Sequence, residues 1–371
     1  MAQQQPDLAP DDALVGKPLS ALSTPQPVID EARLAANIDR VQSYMDGIGK
    51  RFRPHIKTHK IPALARQQEA AGALGINCQK ITEAEVFADA GFQDILITFN
   101  ILGSDKLEAL GALNDRISDL KVVADSETTL RGLSEAFAGH ARPLQVLVEC
   151  DTGGGRCGVQ SPAQAVSLAE VIVAAPGLVF SGLLTYPRAH GETETEAFFA
   201  EALAALADKG IDCPIRSNGG TPSLFDAHKV PSATEHRAGT YIYSDRAMAR
   251  AGHGTLQDCA MHILATVVSR PTDTRAVIDA GSKALTSDLL GFQDFGHVVE
   301  VPDAVITGLS EEHGVLDLSN VSPDARPQIG DRIRIIPNHT CVVSNLFDRM
   351  VFHEDGLITR VLPVAARGRV W

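Results

Sequence analysis

The sequence has little of what marks membrane, secreted or nucleic-acid-binding proteins. Apolar stretches such as residues 144–149 and 171–185 are interrupted by Glu, Pro or Gly and are too short for a bilayer span. The N-terminus, MAQQQPDLAPDDALVGK, carries acids where a signal peptide carries cations, and it has no apolar core. The formal net charge is -13, and long runs of Lys or Arg are absent, which disfavours phosphate backbones as partners. We therefore expect a cytoplasmic protein that binds neither membranes nor nucleic acids.

Paired cysteines and the commonest phosphate-binding motif are also missing. The sequence has no CxxC pair, so a disulfide framework or a finger-type zinc site is not expected. The six cysteines stand apart, at Cys78, Cys150, Cys157, Cys213, Cys259 and Cys341. The motif GxxxxGK[ST] is absent as well, which argues against a nucleoside triphosphate as the ligand. Single cysteines can still be metal ligands.

What the sequence does contain is an alternation of short β-like runs with longer helical patterns. Eight runs predict strands, at residues 27–30, 52–57, 76–81, 94–99, 120–125, 144–150, 178–186 and 214–218. Most of them are apolar on both faces, which is typical of parallel strands covered by helices. The pattern predicts a closed (β/α)8 barrel of the TIM type over residues 25–254, with a doubly wound open sheet as the alternative.

After about residue 255 the pattern changes. Segments rich in Val and Ile, such as HILATVVSRP and DRIRIIPNHTCVV, are separated by turn residues. Helical periodicity is nearly absent, so residues 255–371 are predicted to form a mostly antiparallel β-domain. Residues 1–24 are polar and irregular, and we expect this N-terminal extension to pack beside the β-domain.

Two segments at predicted strand ends carry chemistry. RFRPHIKTHK ends a strand with Lys57 among other bases. Neighbouring cations destabilise an ammonium and leave the amine available to condense with an aldehyde, although a solvated basic loop is the alternative. SNGGTPS presents successive backbone amides and two glycines that allow the close approach of an anion. In a barrel both segments belong to the end where active sites form.

Eight motifs follow one another in a distinctive order and spacing. They are RPHIKTHK (53–60), CQKITEAEVFADAG (78–91), DTGGGRCGV (151–159), SNGGTPS (217–223), HRAGTYIYSD (236–245), DAGSKALTSD (279–288), SEEHG (310–314) and PNHTC (337–341). Together they resemble the fold-type III pyridoxal 5'-phosphate (PLP) enzymes of the D-threonine aldolase and D-serine dehydratase family, which have an alanine racemase-like barrel. The resemblance implies a PLP-binding barrel with a C-terminal β-domain, a small D-β-hydroxy amino acid as substrate, and a homodimer.

The resemblance also implies which residues hold the cofactor. Lys57 corresponds to the Schiff-base lysine, Arg156 resembles the arginine at the cofactor's phenolic oxygen, and Tyr186 is similar to the residue that flanks the ring. Arg237 stands where related enzymes place the partner of the pyridine nitrogen, and an arginine would keep that nitrogen unprotonated; a surface salt bridge is the alternative. The implied set is Lys57, Gln79, Arg156, Tyr186, Ser217, Asn218, Gly219, Gly220, Thr221, Arg237, Gly239, Thr240 and Tyr243, with the amides of Gly219, Gly220, Gly239 and Thr240 at the phosphate.

His339 and Cys341 of PNHTC are predicted to share one face of a strand. Imidazole and thiolate together suit Zn²⁺ best, whereas the family's manganese-dependent aldolases carry His-x-Asp. With the resemblance, the pair implies a divalent metal (Zn, Mn or Mg) that acts as a Lewis acid on the substrate's β-hydroxyl. Taken alone, the two residues fit a place in the core or on the surface better than a metal site.

Three histidines are candidates for catalysis by resemblance. His190, four residues after Tyr186, matches a histidine that the family's aldolases carry in this loop, although the spacing differs. His59, beside Lys57, is a second candidate base, and His313 of SEEHG is a candidate for holding a water at the metal. A hydrogen-bonded structural histidine is the alternative in each case.

Two reactions fit the resemblance. An aldolase would cleave Cα–Cβ to give glycine and an aldehyde, whereas a dehydratase of D-serine or D-3-hydroxyaspartate would give a 2-oxo acid and ammonia. CQKITEAE and AGTYIYSD favour the aldolase, which we place first, and His-x-Cys favours the dehydratase. A racemase would need a tyrosine base from the β-domain, where the sequence has none, and a non-catalytic PLP carrier would lack the β-domain and the metal pair.

Overall fold

The computed structural model describes residues 12–371, which divide into two compact units. The sheet unit contains the described residues up to Asp39 together with 58–61 and 240–367, and the barrel unit contains 40–57, 62–239 and 368–371. Among the helices of this part of the chain, none combines the length and apolar character that a membrane span requires.

The barrel unit is built from eight parallel strands and the helices between them. In chain order the first elements of the protein are β1 (Gln26–Asp30), α1 (Glu31–Gly47), β2 (Arg51–Pro54), α2 (Pro62–Ala70), β3 (Ile76–Cys78), α3 (Ile81–Asp89), β4 (Asp94–Ile97), α4 (Ser104–Arg116), β5 (Asp119–Ala124), α5 (Glu127–Phe137), β6 (Leu144–Cys150), α6 (Pro162–Ala174), β7 (Leu178–Thr185), α7 (Glu192–Asp208), β8 (Ile215–Asn218) and β9 (Glu235–Ala238). Strands pair in the order β2-β9-β8-β7-β6-β5-β4-β3. A bridge between His55 and Asn77 brings the two ends of this order together, so the barrel is nearly closed.

The predicted barrel is confirmed, but one of its predicted strands was wrong. Residues 27–30 form β1, which pairs with two strands of the sheet unit. The eighth barrel strand is β9, with the sequence EHRA, and it pairs with β2 and β8. A strand made of Glu, His, Arg and Ala has no apolar pattern that would mark it in the sequence, although all four side chains are buried.

The start of the barrel strands carries a buried ionic group, which we call the floor layer: Arg53, Asp94, Lys121 and Glu235. Arg53 donates from Nη1 to Asp94 Oδ1 (2.7 Å) and from Nε to Glu235 Oε1 (3.2 Å), and Lys121 Nζ donates to Asp94 Oδ1 (3.0 Å). Burial disfavours the Arg53 charge, but the two carboxylates outweigh it and raise the pKa of Arg53. Above this layer lie apolar side chains, namely Leu96, Val123, Leu147, Leu184 and Ile215.

The sheet unit is mostly antiparallel, as predicted. Its remaining elements are α8 (Arg246–Arg250), β10 (Met261–Thr272), β11 (Arg275–Ile278), α9 (Ser282–Leu285), β12 (His297–Val298), β13 (Val305–Leu309), β14 (Gly314–Asp317), β15 (Arg332–Ile336), α10 (Thr340–Ser344), β16 (Arg349–Glu354) and β17 (Leu357–Pro363). Strands follow the order β13-β14-β11-β10-β1-β16-β17, and β15 pairs with β10 and β12. The pairing of β1 with β16 is parallel, whereas β1 pairs with β10 in antiparallel fashion.

Part of the predicted N-terminal extension falls in the sheet unit. Gly16 N donates to Ile358 O (2.8 Å) and Leu19 N donates to Gly356 O (2.9 Å), and Thr24 Oγ1 donates to Asp279 Oδ2 (2.5 Å). Residues 1–11 of the extension lie outside the described residues. The predicted domain boundaries after residues 24 and 254 stay predictions.

Candidate active site

Lys57 follows β2 at the mouth of the barrel, which is the end where the parallel strands finish. It is half-buried in a single 3-10 turn. Its neighbour His55 shares a hydrogen bond with Gln79, with 3.0 Å between Nε2 and Oε1, and Gln79 Nε2 donates to Thr98 O (2.9 Å). Burial and the nearby Lys57 charge lower the pKa of His55 well below its usual range. The Lys57 amine is therefore placed beside a neutral imidazole.

The SNGGTPS segment forms a narrow backbone cradle at the same mouth. A Cβ at Gly219 would lie 2.5 Å from His236 Cε1, and a Cβ at Gly220 would lie 2.4 Å from Tyr186 Cε2. Gly219 also has a φ of +118°, which favours glycine. Both side-chain polar atoms of Asn218 are buried without a hydrogen-bond partner among the described residues. The cradle thus presents backbone amides and an unsatisfied amide side chain, which suits an anionic group.

Tyr186 and Arg156 stack at the end of β7. The Arg156 guanidinium lies 4.5 Å from the centroid of the Tyr186 ring, and Tyr186 is 40% exposed. The loop that carries Arg156 is fixed by Asp151, whose Oδ1 accepts hydrogen bonds from three successive amides, those of Gly153, Gly154 and Gly155. An exposed aromatic ring with a cation above it can flank a flat, negatively charged ligand.

Arg237 is a buried cation that is held by neutral groups. Its Nη1 donates to Ser217 Oγ (2.6 Å) and its Nη2 donates to Thr185 O (2.8 Å). Ser217 Oγ in turn donates to Glu235 Oε1 (2.6 Å). Burial lowers the pKa of Arg237 to about 10, against the opposing charges of Glu235 and Glu149. The side chain remains charged at neutral pH, so the mouth contains a fixed positive charge.

The candidate metal ligands do not lie on a strand, and this prediction was wrong. Strand β15 ends at Ile336, because Pro337 has no amide for the ladder. His339 is the N-cap of α10 and Cys341 lies in its first turn. The two side chains still meet, since Cys341 hydrogen-bonds to His339. Burial opposes the charge on His339, but Cys341, Asp288 and Asp245 outweigh it and raise the pKa of His339 to about 9.

The donor set at His339 and Cys341 fits a soft divalent metal. Within residues 12–371, no group of three or more His, Cys, Asp and Glu side chains is arranged to hold a metal, so a metal here would have the pair as its protein ligands. Asp288 Oδ2 lies 2.7 Å from His339 Nδ1, and a carboxylate in that place orients metal-ligating imidazoles. Cys341 Sγ lies 3.0 Å from Thr58 Oγ1 and 3.5 Å from Thr240 Oγ1.

The other predicted residues have more varied positions. His59 is buried, and its Nδ1 accepts a hydrogen bond from Ile61 N (3.0 Å). Tyr243 is fully buried, and its hydroxyl has no hydrogen-bond partner among residues 12–371. His190 is exposed in the loop after β7, with a φ of +58°, and His313 is exposed in the turn before β14. Thr221 begins a 3-10 helix directly after the cradle, and Gly239 follows β9.

Three residues that contact these groups were not among the residues predicted from the sequence. Asp288 lies in the motif DAGSKALTSD, which carried no assigned role. Glu235 and Thr185 contact Ser217 and Arg237. For Asp288 the motif was a usable signal, whereas no local pattern marks a backbone carbonyl such as that of Thr185 as an acceptor.

Comparison with known protein families agrees with this geometry. The alanine racemase N-terminal domain matches residues 29–247, which is more than half of the chain, and the putative serine dehydratase domain matches residues 260–353. The chain belongs to the D-threonine aldolase and D-serine dehydratase family. Within this family, the first match covers the barrel strands and the second covers most of the sheet unit's strands.

Curated members of the family are similar over nearly the whole chain. A D-threonine aldolase from Arthrobacter sp is 35% identical, with 97% of this chain and 96% of the relative covered. A D-threo-3-hydroxyaspartate dehydratase from Delftia sp. (strain HT23) is 34% identical, with 89% and 93% covered. Both relatives are lyases by name.

Solved structures of the family share the fold. The crystal structure of D-threonine aldolase from Filomicrobium marinum has a TM-score of 0.89 at 33% identity and covers 96% of this chain and 99% of its own. A cysteine-to-alanine variant of D-threo-3-hydroxyaspartate dehydratase, described as a metal-free form, has a TM-score of 0.86 at 31% identity, with 93% and 98% covered.

Proposed function

We propose that this chain is a PLP- and divalent-metal-dependent lyase that cleaves D-β-hydroxy-α-amino acids into glycine and an aldehyde. The observation that carries the proposal is the barrel mouth, where an amine, an anion cradle and a buried cation occur together on one set of strand ends. Similarity to a D-threonine aldolase over almost the full length of both chains supports the reaction.

The residues of the mouth fit PLP. Lys57 supplies the amine that can hold the cofactor's aldehyde. The Gly219–Gly220 turn supplies a cradle for its phosphate, and Tyr186 supplies a surface for its ring. When bound, PLP withdraws electrons from the bonds at the substrate's Cα. Gln79, Arg156, Ser217, Asn218, Thr221, Gly239, Thr240 and Tyr243 complete the proposed set.

Arg237 is proposed to face the pyridine nitrogen of the cofactor. Its two neutral acceptors, Ser217 and Thr185, hold the guanidinium in place without a direct hydrogen bond to a carboxylate. A persistent positive charge keeps a neighbouring nitrogen unprotonated. Arg237 would thereby moderate the electron withdrawal that bound PLP supplies at the substrate's Cα.

His339 and Cys341 are proposed to hold the divalent metal, with Zn²⁺ as the best fit to nitrogen and sulfur donors. The description of a related dehydratase variant as a metal-free form supports a metal site in this family. The metal would lower the pKa of the substrate's β-hydroxyl. Two protein ligands leave coordination positions for water and for that hydroxyl.

His190 is proposed as the base that takes the β-hydroxyl proton. Its ring is exposed in the loop after β7, where a substrate can reach it. His59, the other candidate, is buried, and its Nδ1 accepts a hydrogen bond from the Ile61 amide. A structural role within this turn therefore fits His59 better than a catalytic one.

A dehydratase is the second candidate function. The His-x-Cys pair and the similarity to a D-threo-3-hydroxyaspartate dehydratase favour it. In that reaction Lys57 would take the α-proton and the metal would help the β-hydroxyl leave. The products would be a 2-oxo acid and ammonia, so the two candidates differ in what they release.

The test uses the purified full chain with PLP and with Zn²⁺, Mn²⁺ or Mg²⁺ in separate reactions. D-Threonine, D-phenylserine, D-serine and D-3-hydroxyaspartate are the substrates. Glycine with an aldehyde supports the aldolase, and ammonia with a 2-oxo acid supports the dehydratase and overturns the first proposal. Lys57→Ala should abolish turnover and the borohydride-reducible absorbance of bound PLP, and retention of both would contradict the whole assignment.

A homodimer and a cytoplasmic location remain expectations from the family and the composition. Light scattering on the purified protein tests the first directly: a mass near twice the 39.5 kDa of one chain is expected. A monomer would contradict it.

A further inference from the structure

The sheet unit contains a loop that fixes one carboxylate against His339. Asp288 uses its two oxygens differently: Oδ2 lies 2.7 Å from His339 Nδ1, and Oδ1 accepts a hydrogen bond from Leu290 N (3.3 Å). Thr286, with a φ of +65°, accepts the Asp288 amide on Oγ1 (3.0 Å). Hydrogen bonds within its own loop therefore help to orient the carboxylate that contacts the imidazole.

The same loop is held at its far end by α8. Phe292 lies between two guanidinium groups, with its ring centroid 4.2 Å from Arg246 and 3.7 Å from Arg250. Arg246 also binds both oxygens of Asp294. These contacts fix residues 286–294 as a rigid segment, because cation–π contacts and a bidentate pair restrain both the ring and the backbone around it.

A third contact ties the loop to the segment that carries the metal ligands. Asn338 Nδ2 donates to Asp294 O (2.7 Å), and Asn338 directly precedes His339. The imidazole and its carboxylate are thus held from both sides, by Asn338 through the chain and by the 286–294 loop through space. Since Asp288 accepts at Nδ1, that nitrogen carries the hydrogen and the lone pair of a neutral ring belongs to Nε2.

We propose that Asp288 is a positioning residue that fixes the tautomer and ring orientation of His339 so that Nε2 is presented to the metal. The inference rests on the proposed function, since it needs the metal site at His339 and Cys341. Loss of such a carboxylate weakens metal binding by about 10- to 100-fold in metal sites generally, and we expect Asp288→Ala to fall in that range.

The experiment measures Zn²⁺ affinity of the PLP-loaded full chain by competition with a chromophoric chelator. Asp288→Asn, which keeps a neutral acceptor at Nδ1, should recover part of the affinity that Asp288→Ala loses. Asp303→Ala removes an exposed carboxylate of the same unit and should bind Zn²⁺ as the unaltered protein does. With Co²⁺, the thiolate absorbance should persist in Asp288→Ala at saturating metal, because Cys341 is unchanged.

The outcomes separate this inference from the proposed function. Thermal unfolding first establishes that each variant is folded. If His339→Ala loses Zn²⁺ affinity but Asp288→Ala binds within twofold of Asp303→Ala, the positioning role is refuted and the metal site stands. If His339→Ala binds Zn²⁺ unchanged, the proposed metal site itself fails. Equal losses in Asp288→Asn and Asp288→Ala would also contradict a role through the Nδ1 acceptor.

Discussion

The floor layer and the mouth of the barrel each contain a buried arginine, and the groups that surround the two guanidinium groups differ. Arg53 and Arg237 are opposite each other in the register of β2 and β9, and both are at least 96% buried. Carboxylates surround Arg53 and raise its pKa, whereas a hydroxyl and backbone carbonyls hold Arg237, whose pKa burial lowers to about 10. The first charge is paired directly with carboxylates, whereas the hydrogen bonds of the second go to neutral groups.

Under the proposed function, this difference separates stability from function within one barrel. A paired charge at the start of the strands stabilises the fold, since its removal leaves an uncompensated partner. An unneutralised charge at the mouth costs stability and is retained where a ligand uses its field. Substitutions at the two ends should therefore have different readouts.

The largest effect is expected at the floor layer. Arg53→Met leaves Glu235 buried without its cation, and a broken buried pair typically costs about 3–5 kcal/mol. Urea unfolding at neutral pH should show this loss in the free energy of unfolding. PLP affinity of the protein that remains folded should change little, because Arg53 does not touch the cradle.

An exposed pair provides the control. Arg116 binds Asp89 at the surface, with side chains 45% and 70% exposed. Arg116→Met should cost less than about 1 kcal/mol, because exposed pairs contribute little. An Arg53→Met loss as small as that of Arg116→Met would contradict the assignment of the floor layer to stability.

An intermediate effect is expected from acid at His236, whose ring lies against the cradle. Burial and the charge of Arg237 lower the pKa of His236 from 6.5 to about 3. Between these values the unfolded chain binds a proton that the folded chain does not, so stability falls as the pH falls through 6.5. At about pH 5 the loss attributable to His236 is about 2 kcal/mol relative to pH 7.

His236→Gln, which cannot titrate, isolates this contribution. Its loss of stability between pH 7 and 5, measured by urea unfolding of the PLP-free protein, should be smaller than that of the unaltered protein. The floor layer responds in a lower window, because the pKa values of Asp94 and Glu235 are already lowered and their stabilisation is lost only as the pH falls through those values. Identical pH slopes in both proteins would refute the role of His236.

The smallest effect is expected at Ser217, which links the two ends by contacting both Arg237 and Glu235. Ser217→Ala removes one acceptor from Arg237 and one donor from Glu235, and loss of such a bond costs about 1 kcal/mol. The absorbance of bound PLP as a function of pH should shift, because Arg237 loses its orientation. An unchanged spectrum would show that the link between floor and mouth has no functional part.

Much of the fold could be predicted from the sequence, and the failures have physical causes. The apolar runs of β5 and β6 could be recognised in the sequence because both faces of a parallel strand are covered. Strand β9 could not be recognised, because Glu235 and Arg237 form hydrogen bonds with residues far away in the chain. Strand β1 has the sequence pattern of a barrel strand, but tertiary packing places it in the sheet unit.

The candidate site was predictable in its residue types more than in its geometry. Lys57 and the Gly219–Gly220 turn stand at strand ends, where local sequence and fold agree. His339 and Cys341 were placed on a strand because Val and Ile dominate their surroundings, yet Pro337 ends β15 and a helix begins. Asp288 is 51 residues from His339, so its motif could mark the residue but not its partner.

The position of β1 has a consequence for how the chain matures on the ribosome. Residues 28–30 complete their hydrogen bonding only with residues 351–353 of β16, so the sheet joins segments that are far apart in the chain. The barrel strands, in contrast, have all been synthesised by residue 238. During translation, the early segment of β1 must wait, unpaired along one edge, until residues 351–353 have left the exit tunnel.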